Sequence, residues 1–157
     1  MMVRSSPMQH QASDPAFAER VRDSFARQQV MATLGITLGK VDPGEVQLCV
    51  PYQDALTQQH GFLHAGIIAT MADSACGYAA FSLMPAQAGV LTVEYKVNLL
   101  APAKGESFVA RARVVRAGRT LTVCAADVVA VQAGEETTVA TMLATVMTIL
   151  GRPGIDR

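Results

Sequence analysis

The stretch that decides the fold is residues 61–84, GFLHAGIIATMADSACGYAAFSLM, in which Asp73 is the only formally charged residue. The other positions are mostly apolar or small, so a helix here is apolar on nearly every side and must be covered on nearly every side. A buried carboxylate without a partner is costly, and we expect a chain to keep one only where something uses it. Asp73 is therefore the first candidate functional residue.

The same stretch is long enough to suggest a membrane span, because about 20 apolar residues cross a bilayer. Asp73 lies near its middle, where a charge costs about 2.5–3.5 kcal/mol, and Ala, Gly and Ser outnumber Leu and Ile. We expect a helix enclosed by protein and no membrane association. The N-terminal sequence MMVRSSPMQHQASDP lacks the apolar core of a secretory signal, which favours a cytoplasmic protein.

Composition favours one globular domain. Half of the 157 residues are hydrophobic, and we expect residues 14–157 to form the domain and residues 1–13 to be a disordered N-terminus. Thirteen basic and thirteen acidic residues balance without a basic block, which argues against a nucleic-acid partner. Cys49, Cys76 and Cys124 lack C-x-x-C spacing, so neither a disulfide framework nor a thiolate zinc site is expected.

The flanking sequence predicts one helix before the central stretch and six strands around it. Asp14 and Pro15 are typical of a helix start, and the helix should end near Gly35. Alternating or β-branched patterns predict strands over 36–41, 45–52, 90–100, 105–116, 119–132 and 136–149. Tight joints at 117–118 and 133–134 indicate antiparallel neighbours. The expected fold is α+β, a curled antiparallel sheet around one long helix, with one helix face left for a second subunit.

Common catalytic signatures are absent from the sequence: there is no G-x-S-x-G elbow, phosphate loop or dinucleotide glycine pattern. His60 and His64 are four apart but have no evident third ligand, so we expect hydrogen-bonding loop histidines and no metal. Cys76 is expected to be a small core residue. A structural alternative for Asp73 is a carboxylate satisfied by its neighbours Thr70 or Ser74.

Three segments carry a family resemblance. GFLHAGIIATMADSACGYAA resembles the helix entry of hotdog-fold thioesterases of the phenylacetic-acid degradation (PaaI-like) family, where His-Gly-Gly precedes a helix with an Asp or Glu. VEYKVNLLAPAKG and RVVRAGRTL are similar to that family's Pro-Ala strand end and basic hairpin. The resemblance implies the hotdog fold, hydrolysis of aryl or medium-chain acyl-CoA, no cofactor, and a homodimer or a homotetramer built as a dimer of dimers.

The resemblance also implies site residues. Asp73 matches the acidic nucleophile or general base, and Thr92 matches a residue that holds the attacking water. The remaining implied positions are Gln58, near the reacting group, and the carbonyl-binding turn of His64, Ala65 and Gly66. Ala65 replaces a glycine of the family motif, which would strain the turn if that position has positive φ.

Spacing adds an expectation about assembly. On one continuous helix, eight residues separate Ala65 from Asp73, or about 12 Å at 1.5 Å per residue. One carbonyl cannot contact both, so the turn of one subunit should meet Asp73 of another across a twofold axis.

Coenzyme A phosphates are expected near a basic hairpin. Arg116 and Arg119 flank Gly118, and Lys104 follows the Pro-Ala strand end; ordinary solvated surface charges are the alternative for all three cations. Two other functions stay open: a non-catalytic acyl-CoA-binding module, and a hotdog-fold enoyl-CoA hydratase or dehydratase that pairs His64 with Asp73.

Overall fold

The structure is a computed structural model that describes residues 9–155. Its helices are α1 (Phe17–Ala26), α2 (Gln29–Leu34) and α3 (Ala65–Phe81), with a short 3₁₀ turn at Asp54–Leu56. Its strands are β1 (Thr37–Asp42), β2 (Glu45–Pro51), β3 (Gly89–Leu99), β4 (Ser107–Ala117), β5 (Leu121–Gln132) and β6 (Glu135–Ile149). Each of the six predicted strands corresponds to one of these.

The six strands form one antiparallel sheet in the order β1-β2-β4-β5-β6-β3, and the sheet curls around α3. The hairpins β1–β2, β4–β5 and β5–β6 pair neighbours in sequence, whereas α3 carries the chain from β2 to β3 at the far edge. This arrangement confirms the predicted α+β hotdog fold. Within residues 9–155, no helix has the length and apolarity that crossing a membrane requires.

The joint between β5 and β6 is a two-residue turn in which both residues adopt positive φ, 51° at Ala133 and 81° at Gly134. Such turns match the right-handed twist of the strands they join. The pairing of β5 with β6 therefore follows from local turn geometry, as the sequence predicted.

The core lies between α3 and the concave face of the sheet. Small residues of α3, among them Ala72, Ala75 and Cys76, are fully buried and let the strands approach closely. Larger side chains such as Leu48 and Phe108 fill the space that remains. Burial raises the pKa of Cys76 well above that of a free thiol, so its thiolate is not available at neutral pH and the core interpretation holds.

The N-terminal region differs from the single helix that was predicted. The chain breaks at Arg27 and Gln28, where Gln28 is extended (φ −80°, ψ 94°), and a second helix follows. That helix ends at Gly35, which adopts φ 69°, as the sequence suggested. The break lets α1 lie beside the C-terminal half of α3 while α2 leads into β1.

Arg20 fastens α1 to the end of α3. Its guanidinium donates hydrogen bonds to the carbonyl oxygens of Phe81, Met84 and Pro85 and lies 4.4 Å from the centre of the Phe81 ring. Oδ2 of Asp14 lies 3.0 Å from Nε of Arg20 and balances the charge of the guanidinium. These contacts hold α1 against the chain segment that follows the end of α3.

Of the expected disordered terminus, residues 1–8 lie outside the described part of the chain. Residues 9–13 are described, and two of their side chains contact the domain. His10 is hydrogen-bonded through Nε2 to the carbonyl of Val114, and the Ser13 hydroxyl donates to the carbonyl of Leu83. This part of the terminus therefore lies against the fold.

Candidate active site

The turn that enters α3 is held in place from both sides. The amide of Leu63 donates to Ala103 and that of His64 donates to Leu56. His64 is the N-cap of α3, and its Nδ1 accepts a hydrogen bond of 2.9 Å from the amide of Gly66. The predicted turn is thus present, but the amide of Gly66 already donates its hydrogen bond to the His64 side chain.

Ala65 is the first residue of α3, and its backbone is helical. Among the non-glycine residues of the described chain only Ala133 has positive φ, so Ala65 does not carry the strain considered from its sequence. Within residues 9–155 the Ala65 amide has no hydrogen-bond partner. It is an unpaired donor at the positive end of the helix dipole.

Gln58 lies in the preceding turn. Its side-chain oxygen accepts from the amide of His60, and Gly61, at φ 79°, closes the turn by donating to the Gln58 carbonyl. A backbone N–H can only donate, so the side-chain atom facing it must be the oxygen. Within residues 9–155 the side-chain nitrogen of Gln58 has no hydrogen-bond partner, so it can donate to another group.

Gln58 and Ala65 line one cavity of about 480 Å³, together with Phe62, Leu99 and Pro102. Its walls are mainly apolar. The two free donors, the side-chain N–H of Gln58 and the backbone N–H of Ala65, belong to residues that line it. We call this the donor half-site. A carbonyl oxygen that gains negative charge suits such a place, because preorganised N–H donors stabilise that charge in a water-poor pocket.

Asp73 lies in the third turn of α3 and is partly buried. Its Oδ1 accepts a 2.7 Å hydrogen bond from the hydroxyl of Thr92 on β3. The structural alternative of local partners is wrong, since Thr70 donates to the Gly66 carbonyl and Ser74 donates to Gln28. The bond of Thr92 leaves Oδ2 and the lone pairs of the Thr92 hydroxyl available to other groups.

A β-bulge between Thr92 and Glu94 interrupts the β3–β6 register just beyond this contact. Bulges redirect neighbouring side chains, and this one accompanies the turn of Thr92 toward α3. Asp73 and Thr92 line a second cavity of about 340 Å³, whose other walls include Gly77, Tyr78 and Phe81. We call this the acid half-site.

In one chain the two half-sites are separate. Gln58 and Ala65 line the donor cavity, Asp73 and Thr92 line the acid cavity, and α3 runs unbroken between them. The eight residues from Ala65 to Asp73 correspond to about 12 Å along a helix.

The expected coenzyme A cations are also divided. Lys104 adjoins Ala103 at the donor half-site, before β4 begins, whereas Arg116, Gly118 and Arg119 lie at the other end of β4. Across the sheet, Ala117 pairs with Thr122, Thr122 pairs with Val146, and Val146 pairs with Thr92. The hairpin therefore lies level with the acid half-site. Strand β4 spans about 33 Å at 3.3 Å per residue, so these cations do not form one cluster within a chain.

The described residues hold no group of three or more His, Cys, Asp and Glu side chains arranged to bind a metal ion. His60 and His64 have other contacts, because His60 Nε2 faces Gln59 and His64 caps α3. The sequence interpretation of two hydrogen-bonding loop histidines therefore agrees with their surroundings.

Comparison with known proteins assigns the family. The model of the Thioesterase superfamily matches residues 60–137. A protein of Halobacterium salinarum, an inferred esterase, is 37% identical over 105 residues, which are 64% of this chain and 69% of its own length. The chain belongs to the thioesterase superfamily, and it is a thioesterase with the hotdog fold.

Two solved structures support the assignment. A thioesterase family protein from Silicibacter pomeroyi superposes with a TM-score of 0.85 at 63% identity, over 86% of this chain and 99% of that one. The PaaI protein of the Escherichia coli phenylacetic acid degradation operon shares the fold, with a TM-score of 0.77 at 19% identity over 85% of this chain and 93% of that one.

Sequence reasoning missed the walls of the acid half-site. Ser24 and Gln28 come from α1 and the break after it, and Ser24 lies 3.3 Å from the Tyr78 hydroxyl oxygen. Gly77, on α3 itself, was not predicted either. A glycine gives no side-chain signal, and nothing in the local pattern of α1 indicates that it packs beside α3.

Proposed function

We propose that this protein hydrolyses acyl-CoA thioesters, with aryl or medium-chain acyl groups, at a site that combines the donor half-site of one subunit with the acid half-site of another. The observation that carries the proposal is the presence of two free N–H donors, on Gln58 and Ala65, in one apolar cavity. Asp73, held by Thr92, lies in a second cavity that the same helix separates from the first.

The chemistry follows from these groups. The thioester carbonyl oxygen accepts hydrogen bonds from the Gln58 side chain and the Ala65 amide, which stabilise the charge of the tetrahedral state. Asp73 then acts in one of two ways. It adds to the carbonyl carbon and expels the CoA thiolate, giving an anhydride that water cleaves, or it takes a proton from a water that adds instead. Either route yields a free acid and CoA.

The shape of β3 supports a twofold dimer. Strand β3 is an edge of the sheet. Two of its apolar side chains, Val93 and Leu99, are more than half exposed, at 53% and 54%. An apolar edge strand with unpaired backbone groups readily pairs with another chain. A second copy of β3 is the natural partner, since an isologous contact closes the assembly.

Antiparallel pairing of β3 with its copy also accounts for the divided site. Thr92 near the start of β3 lines the acid half-site, and Leu99 at its end lines the donor half-site. An antiparallel partner brings the start of one strand beside the end of the other. Each acid half-site then adjoins a donor half-site, with Lys104 and the Arg116–Arg119 hairpin on opposite subunits around one CoA.

The direct test is thiol release from a panel of acyl-CoA thioesters, with aryl and alkyl members from C2 to C12 and one enoyl-CoA, in buffer containing EDTA. We expect release with at least one aryl or medium-chain member. Tight binding of these thioesters by calorimetry without thiol release would favour the binding module. Loss of enoyl-CoA absorbance without thiol release would favour the hydratase.

A further inference from the structure

Gly77 lies in the middle of α3, one turn after Asp73, whereas the other glycine of this helix, Gly66, lies in its first turn. A glycine inside a helix destabilises it relative to alanine, because the backbone loses more freedom on folding. Its φ is not in the left-handed region, so the backbone conformation does not require glycine. Another reason for this residue is needed.

Close packing does not supply that reason. A Cβ built at Gly77 meets no atom within 4 Å outside its own helix neighbourhood. Gly89 is a contrast, since a Cβ there would lie 1.7 Å from the carbonyl oxygen of Ile155. Gly89 is required by the approach of another segment, whereas Gly77 faces open space.

That open space is the acid half-site. Gly77 lines the same cavity of about 340 Å³ as Asp73, and residues four apart lie on one face of a helix. The next residue on this face, Phe81, also lines the cavity. The missing side chain therefore exposes a bare section of helix backbone between the acid and an aromatic ring.

The cavity beside Gly77 is lined by two aromatic residues, Tyr78 and Phe81, together with polar side chains such as those of Arg27 and Gln28. Tyr78 and Phe81 are arranged edge to face, with ring centroids 6.2 Å apart, and Phe25 contacts Tyr78 in the same way at 5.8 Å. The Arg20 guanidinium lies over the Phe81 ring and contacts it. A rigid wall of this kind favours a flat or bulky apolar group over a short one.

We propose that Gly77 is a specificity-determining residue, which admits acyl groups that carry a ring or a branch close to the thioester carbonyl. This inference rests on the proposed function, because it takes the acid half-site as the acyl pocket. The acyl group lies across the bare backbone at Gly77, with its far side against Tyr78 and Phe81. A side chain at position 77 occupies the volume that the ring or branch needs, and an acetyl group does not reach it.

The test compares Gly77→Ala and Gly77→Val with the natural protein, using benzoyl-CoA and acetyl-CoA. A misfit of one methylene in an apolar pocket changes kcat/KM by about 10–200-fold. We expect kcat/KM for benzoyl-CoA to fall about 10-fold in Gly77→Ala and at least about 100-fold in Gly77→Val. The value for acetyl-CoA should stay within about twofold, because its transition-state contacts are unchanged.

Stability gives an independent readout. Gly77→Ala should raise Tm by about 2–4 °C, since the helix gains and no new contact is strained. Ala32→Val, on the exposed side of α2, places a valine outside the cavity and should leave the benzoyl-to-acetyl ratio unchanged. An unchanged ratio in folded Gly77→Val would overturn the inference.

A binding arm separates this inference from the proposed function. Calorimetric titration with benzoyl-CoA and acetyl-CoA needs no turnover, so it reports on the pocket even if the natural protein releases no thiol. We expect Gly77→Val to weaken the binding of benzoyl-CoA at least 10-fold relative to that of acetyl-CoA, which is the effect of one misfitted methylene group. If the binding of both ligands is weakened equally, or that of neither is weakened, Gly77 does not determine specificity. If the natural protein binds these ligands but releases no thiol, the proposed hydrolysis is wrong and the inference about Gly77 is unaffected.

Discussion

The two half-sites of this thioesterase differ in how they obtain their polar groups. The donor half-site uses the start of α3, where unpaired backbone amides occur at any helix N-terminus, and adds the Gln58 side chain from the preceding turn. The acid half-site lies in the third turn of α3, where the backbone is fully paired, so it depends on a side chain, Asp73, and on Thr92 from another element. Local geometry creates the first, and only tertiary structure completes the second.

The difference also concerns charge. The positive end of the helix dipole favours an oxyanion at Ala65, whereas Asp73 lies too far along α3 to gain much from it. In the proposed reaction the two groups act on different atoms, Ala65 on the carbonyl oxygen and Asp73 on the carbonyl carbon or a water. They do so from positions that one chain keeps about 12 Å apart along the helix.

The largest effect should come from removing the acid. Asp73→Asn keeps the shape of the residue and its contact with Thr92 but removes the charge. We expect kcat to fall by about 10²–10⁴, the range for a lost nucleophile or general base, while acyl-CoA binding is retained. Steady-state thiol release and calorimetry measure the two quantities. Near-normal turnover would exclude Asp73 as the reacting acid.

Removing one donor should cost less. Gln58→Ala leaves the Ala65 amide in place and deletes the side-chain N–H. Loss of one oxyanion donor lowers kcat by about 10²–10³. Gln59→Ala, at the exposed neighbouring position, is the matched control and should be close to normal. Equal effects of the two substitutions would mean that the Gln58 side chain is not an oxyanion donor.

The contact between Thr92 and Asp73 predicts a smaller effect. Thr92→Val preserves the shape and removes the hydroxyl that donates to Oδ1. Hydrogen bonds to charged groups contribute about 1.5–3 kcal/mol, which corresponds to roughly 10–150-fold in kcat/KM if the bond matters fully in the transition state. Thr92→Ser restores the hydroxyl and should recover most of the activity. If the serine variant is as slow as the valine variant, Thr92 acts through packing and not through this bond.

The smallest effect concerns a residue that lines neither half-site. Ala133 adopts φ 51°, in a region that costs an L-residue roughly 1–2 kcal/mol, and glycine adopts it freely. Part of this gain is offset by the greater freedom of glycine in the unfolded chain. We expect Ala133→Gly to raise the free energy of unfolding by about 0.5–1 kcal/mol with unchanged kcat/KM, as judged by urea denaturation and thiol release. Lower stability would mean that the turn is not strained.

The parts of this molecule that the sequence predicted are those determined by local pattern. Strand alternation and the tight turn at residues 133–134 indicated the antiparallel sheet, and the apolar run around Asp73 indicated the enclosed helix. The single N-terminal helix was a wrong prediction, and several details of the site could not be predicted from the local pattern. The break at Gln28 depends on how α1 packs beside α3, and the use of the Gly66 amide by His64 depends on one side-chain rotamer. The separation of Lys104 from Arg119 appears only once the 11 residues of β4 are placed between them.

Exchange of subunits between two inactive variants tests the central claim most directly. Asp73→Ala and Gln58→Ala are mixed after mild dissociation, and native mass spectrometry confirms that hybrids form. In a hybrid dimer one site has both Gln58 and Asp73, and the other site lacks both. Random mixing makes half of the dimers hybrid with one intact site in two, so activity should return to about a quarter of the natural level on a twofold model. If hybrids form and activity does not rise above that of the separate variants, the two half-sites do not meet across subunits.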